Sequence, residues 1–256
     1  MRTEGATRQP ATSPAARTAV VWSALRAVLA ERVAETGRAR LDIVDAGGGT
    51  GNFAVPLAEL GHTLTVVDPS PDSLAALERR AAEAGVTVRG IQGDAADVAQ
   101  LLPEGTADLV LCHSVLEYVE DPAAALATLA RLLRPGGVIS VLAANAVSAV
   151  LHRAIAGRFD EALQALADPA GRWGDRDPVP RRFTRDALTA LLTKAGFTVV
   201  ETHGVRVFAD LVPSRLVDTE PGAADALIEL EEAAAAHPAL RDVATQLHLL
   251  ARAPGR

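Results

Sequence analysis

Residues 41–52, LDIVDAGGGTGN, constrain the fold of this chain more than any other stretch. Leu41, Ile43 and Val44 form a short apolar run that reads as a buried strand. It turns at Ala46 into Gly47, Gly48, Gly49 and Gly51, and FAVPLAELG then follows with the pattern of a helix. Glycine takes φ > 0 freely and lets a ligand lie directly on the backbone. A helix start beyond it offers free N–H groups and a partial positive charge. Strand, glycine turn and helix start together predict a nucleotide-type site.

The sequence around this stretch repeats the alternation. Residues 18–35 place Val20, Trp22, Leu25, Val28, Leu29 and Val33 on one face of an amphipathic helix. Further strands are predicted over 63–67, 86–91, 108–112 and 138–142. Pro69-Ser70-Pro71-Asp72 opens a helix, with Ser70 or Asp72 as its cap, that stops at Gly85. A short helix covers 96–102. Another restarts at Pro122 and ends at the RPGG of 134–137. Alternating strands and helices mean βαβ units and a parallel sheet with both faces covered.

After Ala144 the rhythm breaks. Residues 145–171 read as amphipathic helix and 172–182 as a polar, proline-bearing loop. Thr184 caps a helix ending at Gly196. A sixth strand begins over 197–200, and 205–208 either extends it or forms a short strand. A late helix covers 222–236, and 245–251 is a final strand. Residues 1–16 are expected to be a flexible tail, with one domain over 17–256.

Composition narrows the function classes. The net charge of −7 argues against non-specific coating of nucleic acid, though not against a local basic patch. The single cysteine, Cys112, excludes a disulfide framework and a multi-cysteine zinc site. No uncharged run of 18 apolar residues is present, and the first residues lack an apolar signal core. A soluble cytoplasmic protein with no metal and no membrane contact is the expectation.

The glycine spacing selects the ligand. A dinucleotide fingerprint needs Gly-x-Gly-x-x-Gly, and here the third glycine position falls on Asn52. The spacing is instead Asp45-x-Gly47-x-Gly49-x-Gly51. An acidic residue at the strand end suits a ligand with positive charge and no pyrophosphate. S-adenosylmethionine, with its ammonium and sulfonium, is such a ligand.

With these motifs in order, the chain resembles the class I S-adenosylmethionine-dependent methyltransferases from about Leu41 to Leu142. DAGGGTG resembles their first motif, Asp68 the acidic residue that binds the ribose hydroxyls, and Gly93-Asp94-Ala95 the adenine motif. HSVLEYVED resembles the segment after the fourth strand, and LRPGG the signature before the fifth. The resemblance implies an α/β fold: a Rossmann-like, doubly wound, mostly parallel seven-stranded sheet with an antiparallel last strand. It also implies a helical insertion after strand 5, so that 145–195 form an acceptor-side segment. Each residue also has a plain structural reading. Asp68 can cap the following helix, Asp94 can close a turn, and Asp45 can bond the loop's own N–H groups.

The flanks resemble a narrower group, the bacterial tRNA 5-carboxymethoxyuridine methyltransferases. The likeness rests on Asn145-Ala146, His152, Gly157-Arg158-Phe159-Asp160, the segment Gly204 to Asp210, and the early Arg17-Thr-Ala-Val-Val-Trp22. It implies that Arg17, Gly47, Gly48, Asp68, Ala95 and His113 line the cofactor pocket, beside Asp45, Gly49 and Asp94 from the motif reading. The implied reaction is methyl esterification of a carboxylate on a wobble uridine of tRNA. A carboxylate is already ionised at pH 7 and needs no base, only a cation to hold it. Arg206 is the candidate clamp, helped by Arg153 or His152 and by Asn145. Arg206 as an exposed strand residue and His152 as an ordinary helix residue are the bland alternatives. A small-metabolite methyltransferase with a helical lid is the competing function. A non-catalytic binding protein fits less well, because all five motifs are intact. Arginines 153, 158 and 181 ringing one open cleft would favour RNA.

Overall fold

The apolar run before the glycines lies at the centre of the molecule, with four of its five residues buried. The computed structural model describes residues 14–254. In chain order the elements are α1 (Pro14–Thr36), β1 (Asp42–Ala46), α2 (Ala54–Glu59), β2 (Thr63–Asp68), α3 (Pro71–Glu83), β3 (Val88–Gln92), α4 (Val98–Leu101), β4 (Ala107–His113), α5 (Pro122–Leu132), β5 (Leu133–Ala144), α6 (Ala146–Ile155), α7 (Phe159–Ala167), α8 (Arg185–Lys194), β6 (Thr198–Val205), α9 (Ser214–Thr219), α10 (Ala223–Ala235), α11 (Pro238–Arg241) and β7 (Gln246–Arg252).

The strands form one seven-stranded sheet in the order β3-β2-β1-β4-β5-β7-β6. The ladders from β3 to β5 are parallel. Strand β7 runs antiparallel to both neighbours, β5 and β6. The mostly parallel sheet with an antiparallel last strand is therefore as the sequence led us to expect. From β1 the chain first winds outward through β2 and β3, then returns to lay β4 on the other side of β1. That reversal puts a crevice at the carboxyl ends of β1 and β4, where open α/β sheets bind ligands.

Both sheet faces are covered. On one, Val44, Val110, Ile139 and Leu249 pack with Leu126 and Leu129 of α5 and Leu188 of α8. On the other, Ile43, Leu109 and Leu250 pack with Leu25 and Leu29 of α1 and Leu77 of α3. Such continuous burial explains why the central strands read as apolar runs rather than alternating ones.

Several expectations are corrected. Of the expected tail, residues 1–13 lie outside the described residues, whereas Pro14 already opens α1. Ala16 is buried against Ala209, Val217 and Leu227, so packing draws the helix four residues further back than its apolar stripe indicated. The RPGG of 134–137 lies within β5, which begins at Leu133 and slips register against β4 between Ala107 and Leu109. Gly136 takes φ +69° there, so a bulge does what looked like a helix stop. Residues 205–208 do not prolong β6 beyond Val205, because Arg206 turns left-handed at φ +62°. The short helices α9 and α11 carry no periodic signal long enough to read from sequence. Ser70, not Asp72, is the cap of α3: its hydroxyl accepts from the Ser73 N–H at 3.2 Å.

Candidate active site

The glycine turn closes over the end of β1. The Gly47 N–H donates to the Val67 carbonyl at 2.7 Å, and the Gly51 N–H to the Gly48 carbonyl at 3.0 Å. Gly47 has φ +76° and a side chain there would overlap Val115. A Cβ at Gly48 would lie 2.5 Å from the Asp45 carboxyl, so only glycine lets the loop backbone pass over that group. Helix α2 has only six residues, and the Val55 N–H is already bonded to the Gly51 carbonyl. The helix-start charge is thus a minor feature of this site, and two carboxylates dominate it.

Asp45 is buried at the carboxyl end of β1. Burial first, and the Asp68 charge second, push its carboxyl up to about 7. Asp68 Oδ2 accepts from the Gly49 N–H at 2.9 Å, and Oδ1 from the Ser70 N–H at 3.0 Å. Each oxygen of Asp68 retains lone pairs for a further donor. Asp94 is exposed and closes a turn by accepting from the Ala96 N–H at 2.9 Å, while Ala95 beside it is buried.

His113 ends β4. Its Nε2 lies 2.8 Å from Ser140 Oγ, and Phe53 from the glycine turn meets the ring edge-on at 4.8 Å. Burial pushes its pKa down to about 3, so the ring is neutral at pH 7. Among the described residues its Nδ1, which is buried, has no hydrogen-bond partner. Two carboxylates, a neutral imidazole with a spare nitrogen and a bare backbone turn fit a cationic adenosyl donor. The rise in the Asp45 pKa is what an approaching cation would reverse.

The side expected to meet the acceptor is built from the loop after β6. Glu231 of α10, fully buried, accepts from the N–H groups of Val207 at 2.8 Å, Phe208 at 2.8 Å and Ala209 at 2.7 Å. This anchors a tight turn that folds Asp210 back onto Arg206, whose Nε donates to Oδ2 at 2.7 Å. Arg17 Nη2 donates to the other oxygen of Asp210 at 2.6 Å. Burial alone would raise the Asp210 carboxyl, but the Arg206 hydrogen bond and charge, with help from Thr245 and Arg17, hold it below the ordinary value. Arg206 Nη1 reaches Gln246 Oε1 at 3.4 Å, and Gln246 Nε2 reaches Ser114 Oγ at 3.3 Å. A polar chain therefore runs from Arg17 to the residue after His113. His152 of α6 adjoins it: burial lowers its pKa, and the Asp210 and Arg206 charges act on it in opposite senses.

The structure brings Arg17, His152 and Arg206 together through Asp210. It does not bring Asn145 to them as a free donor. The Asn145 amide donates to the Asp242 carbonyl at 3.0 Å and the Ala244 carbonyl at 2.8 Å. Its Oδ1 caps α6 by accepting from the Val147 N–H at 3.1 Å. Asn145 thus joins α6 to the start of β7 and has no hydrogen left for an acceptor. Arg153 is also committed, to Glu161 at 3.0 Å and over the Trp173 ring at 4.0 Å. Arg158 pairs with the same Glu161 at 3.0 Å, and Arg181 Nη1 donates to the Val119 carbonyl at 2.9 Å. The open ring of arginines 153, 158 and 181 that would favour RNA is not formed. A surface cleft of ≈ 770 Å³ beside α7 is lined instead by Arg172, Trp173, Arg176 and Glu161 among others.

Sequence reasoning missed Asp210 as the hub, Gln246, Ser140 and Glu231. Asp210 was legible only as the end of the Gly204–Asp210 likeness, four residues after an arginine, with no sign of its partners. Glu231 carried no signal, since it lies in an ordinary acidic helix. Among the described residues no group of His, Cys, Asp and Glu is placed to hold a metal ion, and no helix is long and apolar enough to cross a membrane.

The fold and the carboxylate-lined glycine turn define a class, and comparison with known proteins agrees. Residues 21–202 match the family described as methyltransferase domain, and the chain belongs to it as an S-adenosylmethionine-dependent methyltransferase. A tRNA 5-carboxymethoxyuridine methyltransferase of Escherichia coli O157:H7 is 35% identical over 240 residues, covering 93% of this chain and 88% of that one. A ubiquinone biosynthesis O-methyltransferase of Methylobacterium nodulans is 32% identical over 166 residues, 64% of this chain and 63% of that one. Among solved structures, an S-adenosylmethionine-dependent methyltransferase from Mesorhizobium loti shares the fold at TM-score 0.60 and 24% identity, covering 91% of this chain and 97% of that one.

Proposed function

We propose that this enzyme methylates the carboxylate of 5-carboxymethoxyuridine at the tRNA wobble position, in the cytoplasm. The observation that carries the reading is the Arg17–Asp210–Arg206 cluster beside the cofactor turn. Two guanidiniums share one carboxylate, which leaves one net positive charge for an anionic acceptor. The nearly full-length similarity to tRNA 5-carboxymethoxyuridine methyltransferases supports the same acceptor.

The cofactor supplies an electrophilic methyl group on a sulfonium. Gly47, Gly48 and Gly49 leave room for it on the backbone. Asp45 balances its positive charge, Asp68 accepts from its ribose hydroxyls, and Ala95 and Asp94 flank its base. Arg17 lines the same pocket and bridges to the acceptor side through Asp210. Arg206 holds the acceptor carboxylate, and His152, kept neutral by burial, donates a second hydrogen bond. Asn145 acts one step removed, fixing the start of α6 on which His152 stands. A carboxylate nucleophile carries no proton at pH 7, so no general base is required. The site's work is alignment and exclusion of water.

A second reading, a small-molecule O-methyltransferase, draws on one observation. Arg153, Arg158 and Arg181 are tied to protein partners rather than free for phosphates. Nucleoside mass spectrometry of tRNA from cells lacking this protein separates the two. Loss of the methyl ester of 5-carboxymethoxyuridine is expected; unchanged ester levels would leave the small-molecule reading.

A further inference from the structure

Four polar side chains cross the sheet in a single hydrogen-bonded line, and neither the cofactor turn nor the acceptor cluster explains them. They lie on β4, β5, β7 and β6, four adjacent strands, on the face covered by α1. His113 Nε2 is 2.8 Å from Ser140 Oγ, which is 2.8 Å from His248 Nε2. His248 Nδ1 is 3.2 Å from His203 Nδ1, the two rings stacking at 5.4 Å. Ser140 and His248 are fully buried. At the outer end Glu201 Oε2 lies 3.5 Å from His203 Nε2. At the inner end His113 Nδ1 is buried beside Phe53 of the glycine turn and has no partner among the described residues.

We propose that Glu201, His203, His248 and Ser140 are positioning residues that set the tautomer of His113, leaving its Nδ1 bare as a hydrogen-bond acceptor for the cofactor. The proposal rests on the S-adenosylmethionine reading of the glycine turn. Burial lowers the pKa of all three histidines, so each carries one ring hydrogen at neutral pH. One hydrogen per link then makes the whole line point one way. A carboxylate at His203 Nε2 draws that ring's hydrogen outward, leaving Nδ1 as an acceptor. His248 must then donate from Nδ1 and accept at Nε2. Ser140 donates to His248, accepts from His113 Nε2–H, and His113 Nδ1 is left with its lone pair. The reverse order would turn an N–H into the pocket. The charges around His203 are Glu201 on its own strand, Glu232 of α10 across the adjoining groove, and Arg241 of α11. The facing part of α1 offers Val20, Ser23, Ala24 and Ala27, none of them charged.

The test reads ring nitrogens directly. The full chain is labelled with ¹⁵N-histidine, and its imidazole correlation spectra are recorded at neutral pH, His113 being assigned with His113→Gln. The expected spectrum shows His113 protonated at Nε2 and unprotonated at Nδ1. Glu201→Ala, at a half-exposed site that tolerates change, should shift the His113 Nδ1 signal towards the protonated position. Ser140→Ala should cut the line, so that adding Glu201→Ala no longer moves His113. In either single variant, affinity for S-adenosylmethionine by calorimetry should weaken about two- to tenfold, the range of one net hydrogen bond. A hydrogen on His113 Nδ1 in the unaltered protein would overturn the proposal. So would a His113 tautomer that Glu201→Ala leaves in place. Loss of packing alone does not mimic the expected result, because a remote surface carboxylate reaches the His113 ring nitrogens only through the line.

Discussion

With Asp45 balancing the cofactor's charge as proposed, affinity for the cofactor is expected to depend on pH in a defined direction. In the cofactor-free protein the Asp45 carboxyl titrates at about 7 against an ordinary 3.8. A rise of about 3 units, at 1.36 kcal/mol each, sets the ionised form back by about 4 kcal/mol. The folded pKa lies above the unfolded one. Stability from this group is therefore fully present below about pH 4 and is lost as pH rises to about 7. A bound cation favours the ionised carboxylate, so binding expels a proton wherever Asp45 is protonated. Between pH 6 and pH 8 the ionised fraction rises from about 0.1 to about 0.9, so affinity for S-adenosylmethionine should rise about tenfold. An α-amino group titrating at about 7.7–8.0 loses charge at the upper end of that range, which trims the net rise to about fourfold at pH 8 and adds a falling limb beyond it. The assay is calorimetry from pH 5.5 to 8, in two buffers of different ionisation enthalpy so that released protons are counted. Asp45→Asn should weaken binding and flatten the limb below pH 7. A flat profile in the unaltered protein, or a limb that survives in Asp45→Asn, would refute the reasoning.

Other perturbations follow from the same contacts. Gly48→Ala puts a Cβ 2.5 Å from the Asp45 carboxyl. It should cost about 1–3 kcal/mol in denaturant unfolding and at least tenfold in cofactor affinity. Arg206→Lys keeps the charge but loses the two-pronged link to Asp210 that orients the guanidinium, so turnover on tRNA should fall at least about tenfold; equal turnover would remove the clamp. Asn145→Ala leaves two backbone carbonyls and the α6 cap without partners, so unfolding free energy should drop by about 2–4 kcal/mol. If tRNA phosphates lie along the cleft of Arg172 and Arg176, replacing both with Ala should reduce the salt slope of binding by about 1–2.

The cofactor half of the molecule was legible because its chemistry depends on local sequence. Strand, glycines and Asp45 are contiguous, Asp68 ends β2, and Asp94 lies in the turn just after β3. The acceptor half was only partly legible, since its geometry is set by contacts distant in sequence. Arg17 and Asp210 are 193 positions apart, and Glu231 shapes the Arg206 turn from a helix whose sequence looks like any exposed acidic one. Asn145 stands out in the sequence as an acceptor contact, yet in the fold it caps α6 and ties it to β7, because a polar residue just after a strand is also where a helix cap belongs. The arginines 153, 158 and 181 misled because charge in a sequence does not reveal its partner, and Glu161 and the carbonyls after β4 absorb them. The polar line through Ser140 was invisible because a serine and two histidines in separate strands meet only when β7 inserts between β5 and β6.

The acceptor assignment is tested most directly with purified protein, methyl-labelled S-adenosylmethionine and tRNA bearing 5-carboxymethoxyuridine. Label should enter that nucleoside as a base-labile methyl ester, and Arg206→Ala should abolish transfer without abolishing cofactor binding. Label that enters no nucleoside of this tRNA, while the protein binds the cofactor, would contradict the account.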